Sequence, residues 1–418
     1  MHSAPIIPIL VWAIALSSIL LILLRPRGTP EAYWACGGAL VLVVTGLISV
    51  RQAAAAVYEG VDVYLFLTGM MVLAEIARME HLFDWAAGVA AGHARHSPRR
   101  LFTLIYLVGT VVTALLSNDA TAVVLTPAVL AVMRRIRTGP KPYLLACALI
   151  ANAASFVFPI SNPANLVVFD RRMPPLIPWL HIFLLPSIAS IAVTFLALRW
   201  CCRAQLRDPL EGELRETPLT TEGKMALAGL LLAALALMLS SAIGIPLGAP
   251  TCAAALLVLV AVATRNRSLA PRVAKDVSWS VLPLVAGLFV IVEALKNRGL
   301  LQAGLAGLQA LANAPAVIAK GASAFAVALL SNGMNNLPVG LMSGAAIQQA
   351  GESGLISHAL LIGVDLGPNL TVTGSLATIL WLIALRRENV EITAWEFFKV
   401  GAVAMPLALA ASLLLLLN

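Results

Sequence analysis

The chain has 418 residues, of which 60% are hydrophobic and 11% charged, with a mean hydropathy of +0.92 and a formal net charge of +8. Soluble domains carry about 25% charged residues, so a water-soluble globular protein is excluded and a polytopic helical membrane protein is expected. The positive charge does not point to nucleic acid, because the arginines cluster at the ends of apolar segments. The five cysteines form no CxxC and have no nearby histidine, which argues against a zinc or disulfide framework.

In chain order, spans are expected near 5–24, 34–50 and 61–78. The first lacks a basic leader and is followed by Arg25 and Arg27, so it reads as a retained span rather than a cleaved signal peptide. An amphipathic stretch at 81–93 reads as an interfacial helix. Residues 101–136 are apolar except for Ser117, Asn118, Asp119 and Thr121 at their centre. Arg95, Arg99 and Arg100 precede them, and Arg134, Arg135, Arg137 and Lys141 follow. Both ends therefore belong on the cytoplasmic side, and the segment reads as a re-entrant helical hairpin. A broken helix at 142–169 and a span at 181–199 close the first half. The charged linker 201–224 leads to spans at 225–243, 250–264 and 278–295 and a second amphipathic stretch at 300–316. A second hairpin at 317–349, a second broken helix at 357–385 and a last span at 394–417 follow.

The two halves, 1–200 and 225–418, resemble each other. Phe66–Leu82 lines up with Pro283–Leu300, matching Gly69 with Gly287 and Glu75 with Glu293. "LLSNDATAVVLTP" is echoed by "LLSNGMNNLPVGL", and "ISNPANLVV" by "DLGPNLTVTGS". Five crossings per half force the second half to lie upside down relative to the first. The expected fold is thus an all-α polytopic membrane protein of two inverted repeats, each with a re-entrant hairpin and a discontinuous helix, as in secondary transporters. Threading with both termini outside leaves only Arg51, Arg171, Arg172, Lys296, Arg298 and Lys320 of the 28 basic residues on that side.

Unpaired backbone groups at such breaks cost several kcal/mol each in lipid, so the breaks must line a cavity or bind something. The expectation is that Ser117–Thr121, Ser161–Asn165, Ser331–Asn336 and Gly367–Ser375 converge on one polar pocket. The candidate solute-binding residues are Ser117, Asn118, Thr121, Ser161, Asn162, Asn165, Ser331, Asn332, Asn335, Asn336, Gly367, Asn369, Thr371, Thr373 and Ser375. Asp119 and Asp365 are the carboxylates placed near mid-membrane, where such groups mark ion or proton pathways. Removal from water disfavours a charged carboxylate, so they are the candidate proton-coupling groups, the alternatives being a cation ligand or a brace. Glu75 and Glu293 lie nearer span ends, where pairing with nearby Lys and Arg is an equal reading. No lysine or arginine falls in the breaks. A small neutral hydroxyl-bearing solute fits best, while helix N-termini keep anions open. No metal site, cofactor or catalytic residue is expected. An intramembrane enzyme is disfavoured because no histidine pairs with a Ser or Cys nucleophile and no HExxH occurs.

At these stretches the sequence resembles the arsenite efflux permease family, the ArsB-type arsenical pump membrane proteins of the ion transporter superfamily. The resemblance rests on "SNDATAVVLTPAV", "PISNPANLVVFD", "SNGMNNLPVGLMSGAAI" and "IGVDLGPNLTVTGSLATILWLIALRRENVEITAWEFFKVG". It implies export of arsenite and antimonite in exchange for protons, by a scaffold and a moving transport domain. In some members it implies a soluble arsenite-stimulated ATPase subunit. It puts Ser117, Asn118, Asp119, Ser331 and Asn332 on motif positions lining the central site, Asn335 and Asn336 on a Met-Asn-Asn motif, and Asp365, Gly367 and Pro368 on an Asp-Leu-Gly-Pro run. This chain has Val364 where the family often has cysteine and Asn369 where it often has lysine. The absent thiol argues against thiolate capture of arsenic here and leaves hydrogen bonding to neutral As(OH)₃.

The expected function is therefore export of neutral arsenic and antimony trihydroxides coupled to protons. The alternative is a sodium- or proton-coupled carrier of dicarboxylates or other anions, or a sodium/proton antiporter of the same superfamily. The expected location is the bacterial inner membrane, with both termini periplasmic. The expected partners are the solute, protons and lipid, with an ATPase subunit and a second copy of the chain as candidates.

Overall fold

The computed structural model describes residues 6–169, 172–207, 210, 218–297, 314–351 and 354–416, and every regular element among them is helical. The first half runs through α1 (Ile6–Leu24), α2 (Glu31–Val44), α3 (Val50–Glu59), α4 (Val61–Met79), α5 (Leu82–Gly92), α6 (Pro98–Leu115), α7 (Thr126–Arg135), α8 (Lys141–Ala153), α9 (Pro163–Phe169) and α10 (Leu176–Cys201). The second half holds α11 (Thr221–Ala242), α12 (Gly248–Ala263), α13 (Leu269–Asp276), α14 (Val281–Lys296), α15 (Ala316–Met334), α16 (Asn336–Ala350), α17 (Leu355–Leu366), α18 (Leu376–Arg387) and α19 (Ala394–Leu415).

By length and composition α6, α10, α11, α15, α19 and the run Leu269–Lys296 can each cross a membrane. Segments α3 and α4 qualify together but bend by 47° around Gly60. Helices α1, α2 and α12 are shorter and apolar. The chain is thus an all-α polytopic membrane protein with several long apolar helices and some broken ones.

Two elements differ from the sequence expectation. The span expected at 34–50 ends at Val44, and a separate helix, α3, begins behind a Ser49–Gln52 capping box. Its polar–alanine pattern buries only Ala53 and Ala56, so it lies against the bundle. Helix α13 was not expected either; it buries Leu269 and Val273 and carries Lys275 and Asp276 at its end. The first amphipathic stretch is helix α5, entered through His81 in a left-handed conformation (φ 55°). The second, 300–316, lies mostly outside the described residues.

Small residues set the closest helix approaches. A Cβ on Gly69 of α4 would meet the Thr251 carbonyl carbon of α12 at 2.6 Å. A Cβ on Gly287 of α14 would meet that of Ala35 in α2 at 2.7 Å. The two glycines that align between the halves therefore do the same thing, letting backbones touch where lipid offers no hydrophobic drive to associate.

Several polar ties define one end of the molecule. Tyr143 donates its hydroxyl to Pro98 O at 3.3 Å, joining the starts of α6 and α8. Arg134 pairs with Glu388 at 2.6 Å and Lys141 with Glu396 at 2.7 Å. These ties set the start of α8 against those of α6 and α19, and the end of α7 against that of α18.

Gly69→Val and Gly287→Val are expected to destabilise the fold by at least about 1–3 kcal/mol through overpacking against backbone. Gly88→Ala, with nothing within 4 Å of the added Cβ, should be neutral or slightly stabilising. Thermal unfolding in detergent reads all three.

Candidate functional site

Each helix break is built by short polar side chains that cap the helix restarting after it. At the first, α6 stops at Leu115, and Ser117 Oγ accepts the Ala120 N–H at 3.1 Å while Asn118 Oδ1 accepts that of Asp119 at 2.9 Å. The returning chain is wound as a π-helix over Ala120–Leu125 before it tightens into α7. Thr121 staples the two arms, with its hydroxyl 2.8 Å from that of Thr113 and 3.4 Å from Gly109 O.

At the second break, between α8 and α9, Asn162 Oδ1 accepts the Ala164 N–H at 3.0 Å. Asn165 donates to the carbonyls of Ser155, Phe158 and Pro159, at 3.0, 3.3 and 3.3 Å. Ser161 Oγ donates to Ala114 O at 2.9 Å, tying this break to the first.

The third break is the single residue Asn335, held at φ +71°, whose side chain caps α16 by accepting the Leu337 N–H at 3.3 Å. Asn336 N–H bonds Gly374 O at 2.9 Å, while Ser331 turns back on its own helix to Val327 O at 2.8 Å. Asn332 is the hub between the third and fourth breaks. It donates to Ala328 O and Gly367 O, at 2.7 and 2.9 Å, and accepts from Thr371 N and Oγ1, at 3.0 and 2.7 Å. Its own carbonyl takes the Thr373 hydroxyl at 3.0 Å. At the fourth break Ser375 caps α18 through the Thr378 N–H at 3.1 Å.

Bonds across the two halves join the second and fourth breaks. Asn162 Nδ2 donates to Asp365 Oδ1 at 2.8 Å, and Asn152 Nδ2 donates to Asn369 Oδ1 at 3.0 Å. The candidate residues are therefore brought together in a chain of contacts, first break to second to fourth to third. Of the candidate residues, Ser117 and Asp119 line the cavity described below, and at the other positions the broken backbones and their neighbours use most of the polar atoms. Asp365 is not among the residues lining the cavity that Asp119 faces. Asp365 is fully buried among the broken helices.

Asp119 is partly exposed, to a cavity of about 110 Å³ bounded by α4, the first break, α14 and α18. Glu75, Asp276, Pro163 and Leu376 share that cavity, and no residue of the third break is among its lining. Its carboxylates are linked by Arg78, which bonds Glu75 through Nε at 2.9 Å and Asp276 at 2.9 Å. Glu293 pairs with Lys296 at 3.2 Å, so Glu75 and Glu293 each hold a base one turn on. Asp276 and the buried Asn152 were missed as site neighbours. Asn152 stands out only as an amide in the apolar run "LLACALIANAASF". Among the described residues no group of three or more His, Cys, Asp or Glu is placed to hold a metal ion.

The profile of the CitMHS family, described as citrate transporter, matches residues 19–364. The arsenical pump membrane protein of Escherichia coli K12 is 28% identical over 411 residues, covering 94% of this chain and 95% of its own length. An uncharacterised transporter of Mycobacterium tuberculosis is 29% identical over 405 residues, covering 90% of each chain. The crystal structure of the Alcanivorax borkumensis YdaH transporter shares the fold at a TM-score of 0.52, with 15% identity and 88% of each chain covered.

Asn332→Ala should cost about 1–3 kcal/mol for each buried group it strips of a partner, with the Thr371 N–H and Gly367 O the first exposed to that loss. Thr373→Val, which removes one hydroxyl, should cost less. A lower melting temperature in detergent, larger for Asn332→Ala, is the readout.

Proposed function

The chain belongs to the CitMHS citrate transporter family, and we propose that it is an ion-coupled carrier whose solute is a small oxygen-rich anion of the carboxylate class. Membership makes it a secondary transporter embedded in a bilayer, not an enzyme. The observation that carries the reading of the site is Asp119. Among the carboxyls at the helix breaks it faces a cavity, at the head of a restarting helix, and Asp365 does not. A carboxylate there can take up a proton or bind a cation as it crosses, which couples its passage to that of the solute. Four capped helix starts, behind Ser117, Asn162, Asn335 and Ser375, offer backbone N–H groups suited to anionic oxygens.

The reading includes the architecture. Residues 1–200 and 225–418 are inverted repeats joined by the linker 201–224, with α6–α7 and α15–α16 as re-entrant hairpins and α8–α9 and α17–α18 as the broken helices. The matched contacts of Gly69 and Gly287 support it, as do the ties that set the start of α8 against those of α6 and α19 and the end of α7 against that of α18. The end bearing Arg134, Lys141, Arg386 and Arg387 is cytoplasmic in this reading, which puts both termini on the periplasmic face of an inner membrane.

A second reading, export of arsenite and antimonite as neutral trihydroxides in exchange for protons, is favoured by the cavity's lining. Asp119, Glu75 and Asp276 make it acidic, and Arg78 is already shared between two of them. Such a lining suits an uncharged guest better than an anion. The whole-length likeness to arsenical pump membrane proteins supports the same reading.

Reconstituted protein with an imposed pH or sodium gradient separates the two. Saturable uptake or counterflow of citrate or succinate is expected, and arsenite flux with neither carboxylate moving would replace the first reading by the second. Asp119→Asn should reduce gradient-driven accumulation to the background of empty liposomes while sparing downhill exchange. Accumulation that survives this substitution would remove Asp119 from the coupling step.

A further inference from the structure

Away from the helix breaks, a cavity of about 360 Å³ lies between the start of α8, the end of α10 and the start of α19. It shares no lining residue with the cavity that Asp119 faces. Its mouth is polar and its depth is apolar. On α19 the lining residues Glu396, Lys399, Val400 and Val403 fall at i, i+3, i+4 and i+7, which is one face of a helix. On α8 they are Lys141 and Leu145, one turn apart. Both helices start at this end, so the charged residues come first and the apolar ones a turn further in.

The charge at the mouth is positive. Glu396 is the acid of the lining, and it is already held by Lys141 at 2.7 Å and by the Thr393 N–H at 2.8 Å. Lys399 is exposed and forms no ion pair with a described residue. Arg203, also exposed and without such a pair, lays its guanidinium over the ring of Trp200, 5.3 Å from the centroid, and Trp200 lines the cavity. Trp200 and Trp395, at the end of α10 and the start of α19, are 58% and 64% exposed. Such rings sit at the membrane–water boundary, with an apolar body toward the acyl chains and an N–H toward the headgroups. Leu196, one turn before Trp200, and Leu407, one turn after Val403, are exposed as well and continue the apolar surface away from the mouth.

We propose that this cavity is a site for one anionic phospholipid, with its phosphate on Lys399 and Arg203 and its acyl chains along Val403, Leu407 and Leu196. A lipid headgroup needs cations on the water side and an apolar bed directly beneath them, and these helices present the two in that order. Basic pockets between membrane helices hold phosphate headgroups in this way. The Arg203 fork matches phosphate oxygens, and the Lys399 ammonium adds a point charge. A water-soluble phosphate would use the mouth alone and leave the apolar bed empty. A zwitterionic lipid would bring a further cation to a mouth that is already positive. The bound lipid would touch α8, α10 and α19 together, so it should stiffen their packing. The site stands whichever solute is carried.

The test uses the purified, delipidated full-length protein in detergent, with no solute present, so its failure leaves the solute reading untouched. Phosphatidylglycerol, phosphatidylcholine and glycerol phosphate are titrated separately, following melting temperature, and retained lipid is counted by native mass spectrometry. A saturable rise in melting temperature with phosphatidylglycerol, and one such lipid retained per chain, is expected. Phosphatidylcholine should act only at higher concentration, and glycerol phosphate should not act at all. Lys399→Gln should raise half-saturating phosphatidylglycerol about fivefold, the effect of one cation near a headgroup. Val403→Phe, which fills the apolar bed, should reduce the retained lipid. An equal response to phosphatidylcholine overturns the proposal, as does an equal response to glycerol phosphate, which would make the site one for a free phosphate. Wild-type lipid affinity in Lys399→Gln also overturns it. If Val403→Phe fails to fold, Lys399→Gln and the comparison of the three ligands decide.

Discussion

Inside a bilayer, a helix that stops must find partners for its own backbone within the protein, and most of this structure follows from that requirement. Every interruption is answered by small side chains that donate and accept at once. Ser117 and Asn118 serve the first, Asn162 and Asn165 the second, Asn335 the third and Ser375 the fourth. Because the breaks lie close together, the caps also bond one another, and the interior becomes a continuous polar seam through an apolar bundle. Asn332 and Asn369 each join two elements in that seam, so the breaks hold one another in place.

Against that background Asp119 is the exception. Its neighbours Ser117, Asn118 and Thr121 are buried and committed to local bonds, while its own carboxyl looks into a cavity. That cavity is acidic rather than basic, and its nearest arginine is already bridging Glu75 and Asp276. Family membership favours an anionic solute, whereas the local charge favours protons, cations or an uncharged guest. The helix starts reconcile the two, since backbone N–H groups can receive anionic oxygens without a cationic side chain.

Much of the fold was legible in the sequence because its signals are local. A greasy run such as Leu176–Cys201 announces a span by composition alone, and Ser, Asn, Pro and Gly in the middle of such runs announced all four breaks. Basic residues on both flanks of 101–136 are what the proposed return of the chain rests on in the sequence. The short helices α3 and α13 were not legible, because they are too brief and mixed in character to show a period. The division of labour among the polar residues was also hidden. Asn162 and Asp365 are 203 positions apart, and Asn152 and Asn369 are 217 apart, so no local pattern could reveal that they bond. The bonded seam, with a cavity beside it, was hidden for the same reason.

The glycine contacts of α4 with α12 and of α14 with α2 have an electrical consequence. Where two backbones meet with no side chain between them, there is no room for a file of water, so these joints are insulating. A voltage across the membrane therefore drives no ions along them. A unit charge moved through 100 mV exchanges about 2.3 kcal/mol with that field. Two hydrogen-sized side chains thus deny that energy a leak between α4 and α12 and between α14 and α2.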